Sequence, residues 1–472
     1  MKYKNKLCAA LAVILSAVML LPICASALTF TPTNGKDDND EPVPIYLYSP
    51  SVYMVDLSSG RALVDIESDK KLALGYLTQL MTCALILDEF GGNEKKLRDN
   101  KVSSGSEAFD ELYQTGAPTA DIRPYEEVSY YDLLVAMILC SSCEAANITA
   151  LNLSDSLFDF TLKMNEKAKA LGMNDTKFSS AHGLYTVQNY STCKDLTKLC
   201  RYLVNNYQVF TDICSKENIQ LEATEDHPDG TLLYNNNYIV SSFSEYYYAS
   251  AEGIKTSNQE DSGRCLASYA EYDGSSYLIV TMNAPFEKTP SDILKGEQDP
   301  NSIYGNDYVY YNILDHIALY RWAFGSLVST DFINQSSEVT EAHIEFGEGT
   351  DYVNLKPAKS VNLLWPSDLK TDGVEKTVKV FENIIAPVEK GDVLGVMKLN
   401  YNGEEIASVD LIATSSVKRS NTKSTFKIAL AFFKSEEFKW ALFIIIMLFS
   451  VYGISYFLYL QLKYLKINKK KK

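Results

Sequence analysis

The chain has 472 residues, of which 46% are hydrophobic and 22% are charged. This composition is that of a globular protein, and the length is sufficient for two or three domains. The net charge of −16 argues against a nucleic-acid-binding protein, because phosphate backbones require a basic surface.

Residues 1–27 have the pattern of a secretory signal peptide. Three lysines within the first six residues precede a long apolar run, which ends at the small-residue triplet 25–27. An uncleaved membrane anchor is the alternative, and the triplet favours cleavage. Cys24 raises the alternative of a lipoprotein, but Ile23 is too bulky for the position before a lipidated cysteine. We therefore predict an exported protein.

The next part of the chain passes from a polar segment into strands and helices. Residues 28–44 are polar and acidic, which predicts a disordered lead-in. Two runs of alternating apolar and polar residues on either side of the Ser-Ser-Gly turn at 58–60 predict a β-hairpin. Apolar residues at helical spacing predict a helix over about 73–90 and three further helices. The last of these begins after Ser191 or Thr192, both of which are suitable N-cap residues.

From about Glu252 the apolar period changes to two and predicts three strands. Asp273 and Gly274 predict a hairpin turn between the second and third of these strands. A closing helix ends near Leu327. Because strands occur at both ends and helices lie between them, we predict an α/β domain over 45–327, with a mixed antiparallel sheet that combines early and late strands.

The part of the chain after this domain has the residue pattern of an all-β protein. Alternation of apolar and polar residues over 335–412, with Asn402 and Gly403 as a hairpin signal, predicts a small β-sandwich. The polar and partly amphipathic residues 413–438 are predicted to form a juxtamembrane tether.

The C-terminus carries the pattern of a membrane anchor. Residues 440–462 contain no charge and are long enough to cross a bilayer, which favours a transmembrane helix over a buried core helix. The lysines in 463–472 predict a cytoplasmic tail. We therefore predict a single-pass protein of the cell membrane, whose domains lie on the outer side of the membrane.

Seven cysteines remain once the predicted signal peptide is removed, and their odd number and irregular spacing are not those of a disulfide framework. Cys140 and Cys143 have the C-x-x-C spacing of a redox or metal pair. A second pair for zinc is missing, however, and the four histidines are scattered. We favour packing as the role of the cysteines, with a disulfide between Cys140 and Cys143 left open, and predict no metal and no cofactor.

Four stretches together resemble a known family, the D-alanyl-D-alanine carboxypeptidases of peptidase class S11, which are low-molecular-weight penicillin-binding proteins. They are LTQLMT (77–82), MNEKAKALGMNDTKFSSAHGL (164–184), STCKDLTKLCRYL (191–203) and GIKTS (253–257). The resemblance implies a transpeptidase domain of the penicillin-binding-protein and β-lactamase type, followed by the β domain and the anchor. It also implies action on the terminal D-alanine of peptidoglycan stem peptides.

In that family the first group of catalytic residues is Ser-x-x-Lys at the start of the buried helix, where the serine is acylated and the lysine one turn on acts as base. The matching positions here are Tyr76 and Gln79. A phenol with a pKa near ~10 is a poor nucleophile without a base, and an amide accepts no proton at neutral pH. The two replacements imply a loss of activity of roughly 10⁴- to 10⁶-fold.

The second and third groups of the family are Ser-x-Asn, which shuttles a proton and holds the substrate amide, and Lys-Thr-Gly, which binds the terminal carboxylate. Ser141 matches the serine, but Cys143 replaces the asparagine. Lys255 and Thr256 match the Lys-Thr pair, but Ser257 replaces the glycine. The resemblance implies that 255–257 bind substrate, while no position qualifies as a catalytic residue.

The family stretches are retained while the catalytic residues are replaced. This combination predicts a pseudoenzyme that binds stem peptides or organises wall enzymes. One alternative is an active carboxypeptidase with a non-standard nucleophile, for which Ser141, Cys143, Thr78 and Thr82 are candidates. Another is a structural protein in which the β domain and the tether carry the function. His182, in the stretch SAHGLY, matches a family feature outside the catalytic set, and we predict a structural role for it.

Overall fold

The structure of the protein is a computed structural model that describes residues 28–39, 41–286 and 309–469. The predicted signal peptide lies outside the described residues. The helices are α1 (Gln79–Phe90), α2 (Glu94–Asp99), α3 (Tyr130–Cys140), α4 (Cys143–Leu153), α5 (Leu157–Ala170), α6 (Cys193–Asn206), α7 (Gln208–Cys214), α8 (Tyr311–Ser326), α9 (Asn421–Lys434) and α10 (Glu436–Lys469). Short 3-10 helices lie at Gly75–Thr78, Ser106–Ala108, Asp110–Leu112, Tyr238–Val240 and Thr371–Gly373.

The strands are most numerous in the ranges 33–73 and 251–413. They are β1 (Thr33–Lys36), β2 (Pro42–Pro44), β3 (Ser51–Asp56), β4 (Ala62–Ile66), β5 (Leu72–Ala73), β6 (Lys101–Val102), β7 (Val128–Ser129), β8 (Tyr190–Ser191), β9 (Asn218–Gln220), β10 (Leu232–Tyr234), β11 (Ala251–Gln259), β12 (Gly263–Tyr272), β13 (Ser275–Ala284), β14 (Leu327–Ile333), β15 (Thr340–His343), β16 (Tyr352–Pro357), β17 (Val361–Pro366), β18 (Val374–Val380), β19 (Val393–Tyr401) and β20 (Glu404–Ala413).

The chain divides into two compact units. The first takes in the described residues up to Ser329 together with Leu364–Lys370, and the second takes in Thr330–Leu363 and the described residues from Thr371 onward. The first unit therefore contains the helix-rich middle and the strands that flank it, as predicted for an α/β domain.

An antiparallel sheet of five strands, in the order β11-β12-β13-β3-β4, is the centre of the first unit. The predicted hairpin joins β12 to β13, and both of its turn residues have positive φ, 49° at Asp273 and 76° at Gly274, as a type I′ turn requires. The late strand β13 pairs with the early strand β3, with Ile279 opposite Met54. The prediction that the sheet combines early and late strands is confirmed.

Helices cover both faces of this sheet. Ala267 and Tyr269 on β12 belong to the main hydrophobic cluster, which also contains the buried side chains of α1 and α3. Ser268 between them points to the opposite face, where its hydroxyl lies 2.6 Å from Nδ1 of His316 on α8. The apolar helix α3 is buried almost throughout, and it thus carries Ser141 at its C-terminus into the interior of the unit.

Helix boundaries follow local capping. Thr192 is the N-cap of α6, because its hydroxyl accepts a hydrogen bond from the backbone N–H of Asp195 at 3.0 Å. Of the two residues predicted for this position, Thr192 is therefore the one that caps. Helix α3 ends where Ser141 adopts a left-handed conformation, with φ of +61°.

The prediction of a disordered lead-in over 28–44 is wrong for the described residues. Strands β1 and β2 pair as an antiparallel hairpin, and Leu28 and Phe30 are buried. The ring of Phe30 lies 5.4 Å from that of Trp365, centroid to centroid. Two apolar residues at the start of a polar segment are sufficient to anchor it against the unit, which an average over the segment's composition does not detect.

The second unit contains the predicted all-β domain. Five strands form an antiparallel sheet in the order β15-β16-β20-β19-β18, and the turn at Asn402 and Gly403 joins β19 to β20. The predicted tether over 413–438 begins too early, because Val417 is buried and exchanges two backbone hydrogen bonds with Val388, at 2.8 and 3.0 Å. The remainder of that segment is largely the helix α9.

Helix α10 contains the predicted transmembrane segment. Its part Glu436–Lys463 is 28 residues long and contains an 18-residue window with a mean hydropathy of 2.3, which is not buried by the described protein. At ~1.5 Å per residue it exceeds the ~30 Å of a bilayer core. By length and composition it is the one described helix that qualifies as a membrane span.

Candidate active site

A 3-10 turn at Gly75–Thr78 precedes α1, so Tyr76 lies before the helix and Gln79 opens it. The helix predicted from about residue 73 therefore begins later than expected. Gly75 has φ of +54°, which interrupts helical geometry and is tolerated because glycine has no Cβ. Tyr76 is 8% exposed and Gln79 is fully buried, so both replaced positions face the interior.

The side-chain nitrogen of Gln79 lies among three backbone carbonyl oxygens. Nε2 donates to Ser141 O at 3.0 Å, to Ser142 O at 3.3 Å and to His182 O at 3.0 Å. An amide nitrogen carries two hydrogens, whereas an ammonium carries three. The second polar atom of the side chain, Oε1, is buried and has no hydrogen-bond partner among the described residues. This carbonyl cluster therefore matches a lysine ammonium better than the amide that it holds.

The Tyr76 side chain is held in its neutral form. Burial raises the pKa of its phenol, and the nearby Cys143 raises it further. The phenol is therefore neutral under all physiological conditions, and Gln79, one turn on, offers it no base. The backbone N–H of Tyr76 donates to the hydroxyl of Ser257 at 2.8 Å.

The structure brings two of the predicted site residues into direct contact. Nζ of Lys255 donates to Ser141 Oγ at 2.9 Å and also to the carbonyl oxygen of Met137. The amide of Asn236 donates to the same serine oxygen at 3.2 Å. Asn236 was missed from the sequence, because nothing in its spacing connects it with α3 or β11.

Lys255 is a buried cation with no anionic partner in the part of the chain that the structure describes. It has no exposed surface, and burial lowers the pKa of its ammonium to about 8. Among the described residues it forms no ion pair, and its hydrogen-bond partners are neutral oxygens. The neighbouring thiols are those of Cys83, Cys140, Cys143 and Cys214. Burial raises the pKa of all four, so they supply no negative charge.

The other candidate nucleophiles are held in inert environments. The thiol of Cys143 is buried and its pKa is raised, which is the reverse of an activated cysteine. The hydroxyls of Thr78 and Thr82 each donate to a backbone carbonyl oxygen at 2.8 Å. Cys140 and Cys143 are free thiols. No cluster of three or more metal-ligating side chains occurs in the described part of the chain.

The remaining residues of the site are turned toward the protein itself. Thr256 is buried and its hydroxyl donates to Cys265 O at 3.3 Å, while the Ser257 hydroxyl binds the Tyr76 amide. His182 accepts a hydrogen bond at Nδ1 from the N–H of Leu184 at 3.0 Å. Its carbonyl oxygen also holds Gln79, so these contacts agree with the structural role predicted for it.

Comparisons with known proteins bear on the family and the fold of the chain. The family model described as D-alanyl-D-alanine carboxypeptidase, peptidase S11, matches residues 39–286, which is more than half of the chain. A second model, the C-terminal domain of penicillin-binding protein 5, matches residues 329–419. The second match extends past the predicted end of the β domain at 412, in agreement with the pairing of Val417.

Curated relatives match most of the chain. D-alanyl-D-alanine carboxypeptidase DacF of Bacillus subtilis is 23% identical over 410 residues, 87% of this chain and 95% of the relative. D-alanyl-D-alanine carboxypeptidase DacC of Escherichia coli is 24% identical over 372 residues, 77% of this chain and 83% of the relative.

Solved structures with the same fold include two proteins of this type. The D-alanyl-D-alanine carboxypeptidase DacD from Francisella tularensis has a TM-score of 0.59 at 20% identity, over 82% of this chain and 98% of that one. Penicillin-binding protein 5 from Haemophilus influenzae has a TM-score of 0.56 at 19% identity, over 80% and 99%. The fold of a penicillin-binding protein is confirmed, and by the match over 39–286 the chain belongs to the D-alanyl-D-alanine carboxypeptidase family, peptidase S11.

Proposed function

We propose that the protein is an exported, membrane-anchored pseudoenzyme that binds the carboxylate end of peptidoglycan stem peptides and does not cleave them. The observation that carries this proposal is the buried Lys255 ammonium, which has no anionic partner among the described residues and contacts Ser141, the residue whose carbonyl oxygen binds Gln79. A buried charge is costly unless it is paired. A ligand carboxylate would supply the missing negative charge.

The chemistry of the first turn supports a non-catalytic role. Tyr76 is a neutral phenol, and the nitrogen of Gln79 is committed to three carbonyl oxygens. Neither side chain accepts a proton near neutral pH. Lys255 has no exposed surface, whereas Tyr76 retains 8% exposure. We therefore expect a ligand to reach Lys255 only after the side chains that cover it have moved.

The proposed location is the outer face of the cell membrane. The apolar helix Glu436–Lys463 is the support for an anchor. Lysines follow the span in the sequence, and positively charged flanks favour the cytoplasmic side. This orientation would hold both units where stem peptides occur.

Binding of a peptide that ends in D-Ala-D-Ala is expected to depend on its carboxylate and on Lys255. Titration calorimetry on the full chain in detergent should detect the free acid, and at least ~10-fold weaker binding of the same peptide as a C-terminal amide. Lys255→Met should weaken binding of the acid by a similar factor. Lys95→Met, at an exposed lysine, serves as the matched control. Equal binding of acid and amide would show that Lys255 does not bind the carboxylate. That result would favour a purely structural protein.

The affinity for the carboxylate is expected to fall as the pH rises through about 8. Above its pKa of about 8, Lys255 loses its proton and with it the charge that attracts the ligand. The affinity is then expected to fall by up to about tenfold per pH unit. Burial raises the pKa of the neighbouring thiols of Cys83 and Cys140 to about 12, so they do not titrate in this range. Calorimetry at pH 6, 7, 8 and 9 measures this, and a flat profile would exclude Lys255 as the binding cation.

An active enzyme that uses Ser141 is the second candidate. The observation in its favour is the 2.9 Å contact between Ser141 Oγ and a lysine of lowered pKa, which is the arrangement of a serine–lysine pair. Against it, Ser141 has no exposed surface and already accepts hydrogen bonds from Lys255 and Asn236. A fluorescent penicillin decides between the two. A covalent band that disappears in Ser141→Ala would establish the enzyme and refute the pseudoenzyme.

A further inference from the structure

We propose that the Ser257 hydroxyl, by accepting the hydrogen bond of the Tyr76 backbone N–H, takes the place of a ligand oxygen. The N–H is then prevented from polarising a ligand carbonyl group. This inference rests on the proposed function and deepens it. The site would then hold a carboxylate near Lys255 but would not activate the adjacent peptide bond. Ser257 would be a further change against catalysis, in addition to those at positions 76, 79 and 143.

The contact is short and shielded from water. The N–H of Tyr76 donates to Ser257 Oγ at 2.8 Å, and Ser257 has no exposed surface. Ser257 lies on β11 opposite Cys265 of the neighbouring strand, which holds its backbone in register. The first turn at Gly75–Thr78 packs against β11. The hydroxyl is therefore held at the amide by the sheet, and no loop movement is needed to bring it there.

The space around the hydroxyl is closely filled. A Cβ atom on Gly75 would lie 2.1 Å from Ser257 Oγ and 2.9 Å from Ser262 Oγ. The Ser257 hydroxyl is thus packed against the bare Cα of Gly75, next to the amide that it accepts from. A glycine at position 257, as in the family motif, would have no atom at this place, and the Tyr76 N–H would be left without this partner.

The amide in question has a defined role in serine-dependent acyl transfer. In such enzymes the backbone N–H of the nucleophile itself is one of the donors that stabilise the oxyanion. Tyr76 occupies the nucleophile position, and its N–H lies in the turn that leads into α1, where the helix dipole adds positive potential. To use this donor, a ligand oxygen would first have to displace the Ser257 hydroxyl.

The test compares the acylation rates of variants that carry a restored serine and lysine. The reference is Tyr76→Ser/Gln79→Lys in the full chain, and the second-order rate constant with a fluorescent penicillin is the readout. Adding Ser257→Gly is expected to raise this rate constant by about 10²-fold, the usual effect of one oxyanion donor. Ser257→Ala, which also removes the hydroxyl but restricts the backbone more than glycine does, is expected to act in the same direction.

Ser262→Ala in the same reference is the matched control, because it removes a neighbouring hydroxyl that does not bind the Tyr76 amide. It is expected to leave the rate constant unchanged. Equal rate constants with and without the Ser257 hydroxyl would overturn the inference, and so would the absence of labelling in both variants. Either result would leave the pseudoenzyme proposal standing. Rapid labelling of the unmodified protein would instead overturn the pseudoenzyme proposal. Thermal unfolding of each variant shows whether the change is one of stability alone.

Discussion

The double variant Tyr76→Ser/Gln79→Lys is expected to react covalently with penicillin at least ~10³-fold faster than the unmodified protein. The physical reason is that the carbonyl oxygens around Gln79 Nε2 would position a lysine nitrogen: in its neutral form the amine donates two N–H groups to these oxygens and keeps a lone pair for the serine proton. A serine at position 76 would then have a base within one helical turn. Loss of both members of such a pair accounts for several orders of magnitude in rate.

The single variants are the controls for this experiment. Tyr76→Ser alone lacks a base and Gln79→Lys alone lacks a nucleophile, so each is expected to remain close to the unmodified protein. Labelling resolved on a denaturing gel, followed by mass spectrometry of the modified peptide, identifies the acylated residue. Modification at Ser141 in place of position 76 would contradict the interpretation of the first turn.

Gln79→Ala is expected to destabilise the first unit by roughly 2–4 kcal/mol. The substitution leaves three buried carbonyl oxygens without their donor and opens a cavity of several heavy atoms, and both effects lower the free energy of unfolding. Gln79→Lys, by contrast, retains the hydrogen bonds to the carbonyl oxygens and removes the unpaired Oε1. Because it also buries a second ammonium close to Lys255, which contacts the same Ser141, we expect it to be less destabilising than alanine but not neutral.

Chemical denaturation of the full chain in detergent measures this difference. Gln208→Ala is a useful comparison, because the Gln208 amide donates at 2.8 Å to the exposed Asp212 one turn on in α7. A loss of at most a few tenths of a kcal/mol is expected there. If Gln79→Ala and Gln208→Ala lowered the free energy of unfolding by the same small amount, the three carbonyl contacts would not contribute to stability.

The elements that could be predicted from the sequence are those in which local pattern and tertiary fold agree. The hairpin at Asp273 and Gly274 and the apolar helix α3 carry their signal within a few residues, and the structure has both. The lead-in at 28–44 was misjudged, because two apolar residues decide its placement while the remaining residues are polar. The start of α1 was also misplaced, because the effect of Gly75 depends on its contact with β11.

The candidate site was accessible from the sequence only through motif positions. Tyr76, Gln79, Ser141 and Lys255 were identified in this way, and the structure brings them to one place. What no spacing reveals is how each polar atom is satisfied, since the partners are backbone carbonyl oxygens and residues far along the chain. Asn236, which donates to Ser141, belongs to this class.

The carbonyl cluster around Gln79 also bears on how such a protein changes over evolutionary time. Its three oxygens are main-chain atoms at the junction of α3 and α4 and in the segment that contains His182. Point substitutions do not remove main-chain atoms, and the core requires the elements to which they belong. Side-chain chemistry can therefore be gained and lost at this position while the acceptors persist, so a lineage of this kind remains only a few point substitutions away from the cation that its backbone still accommodates.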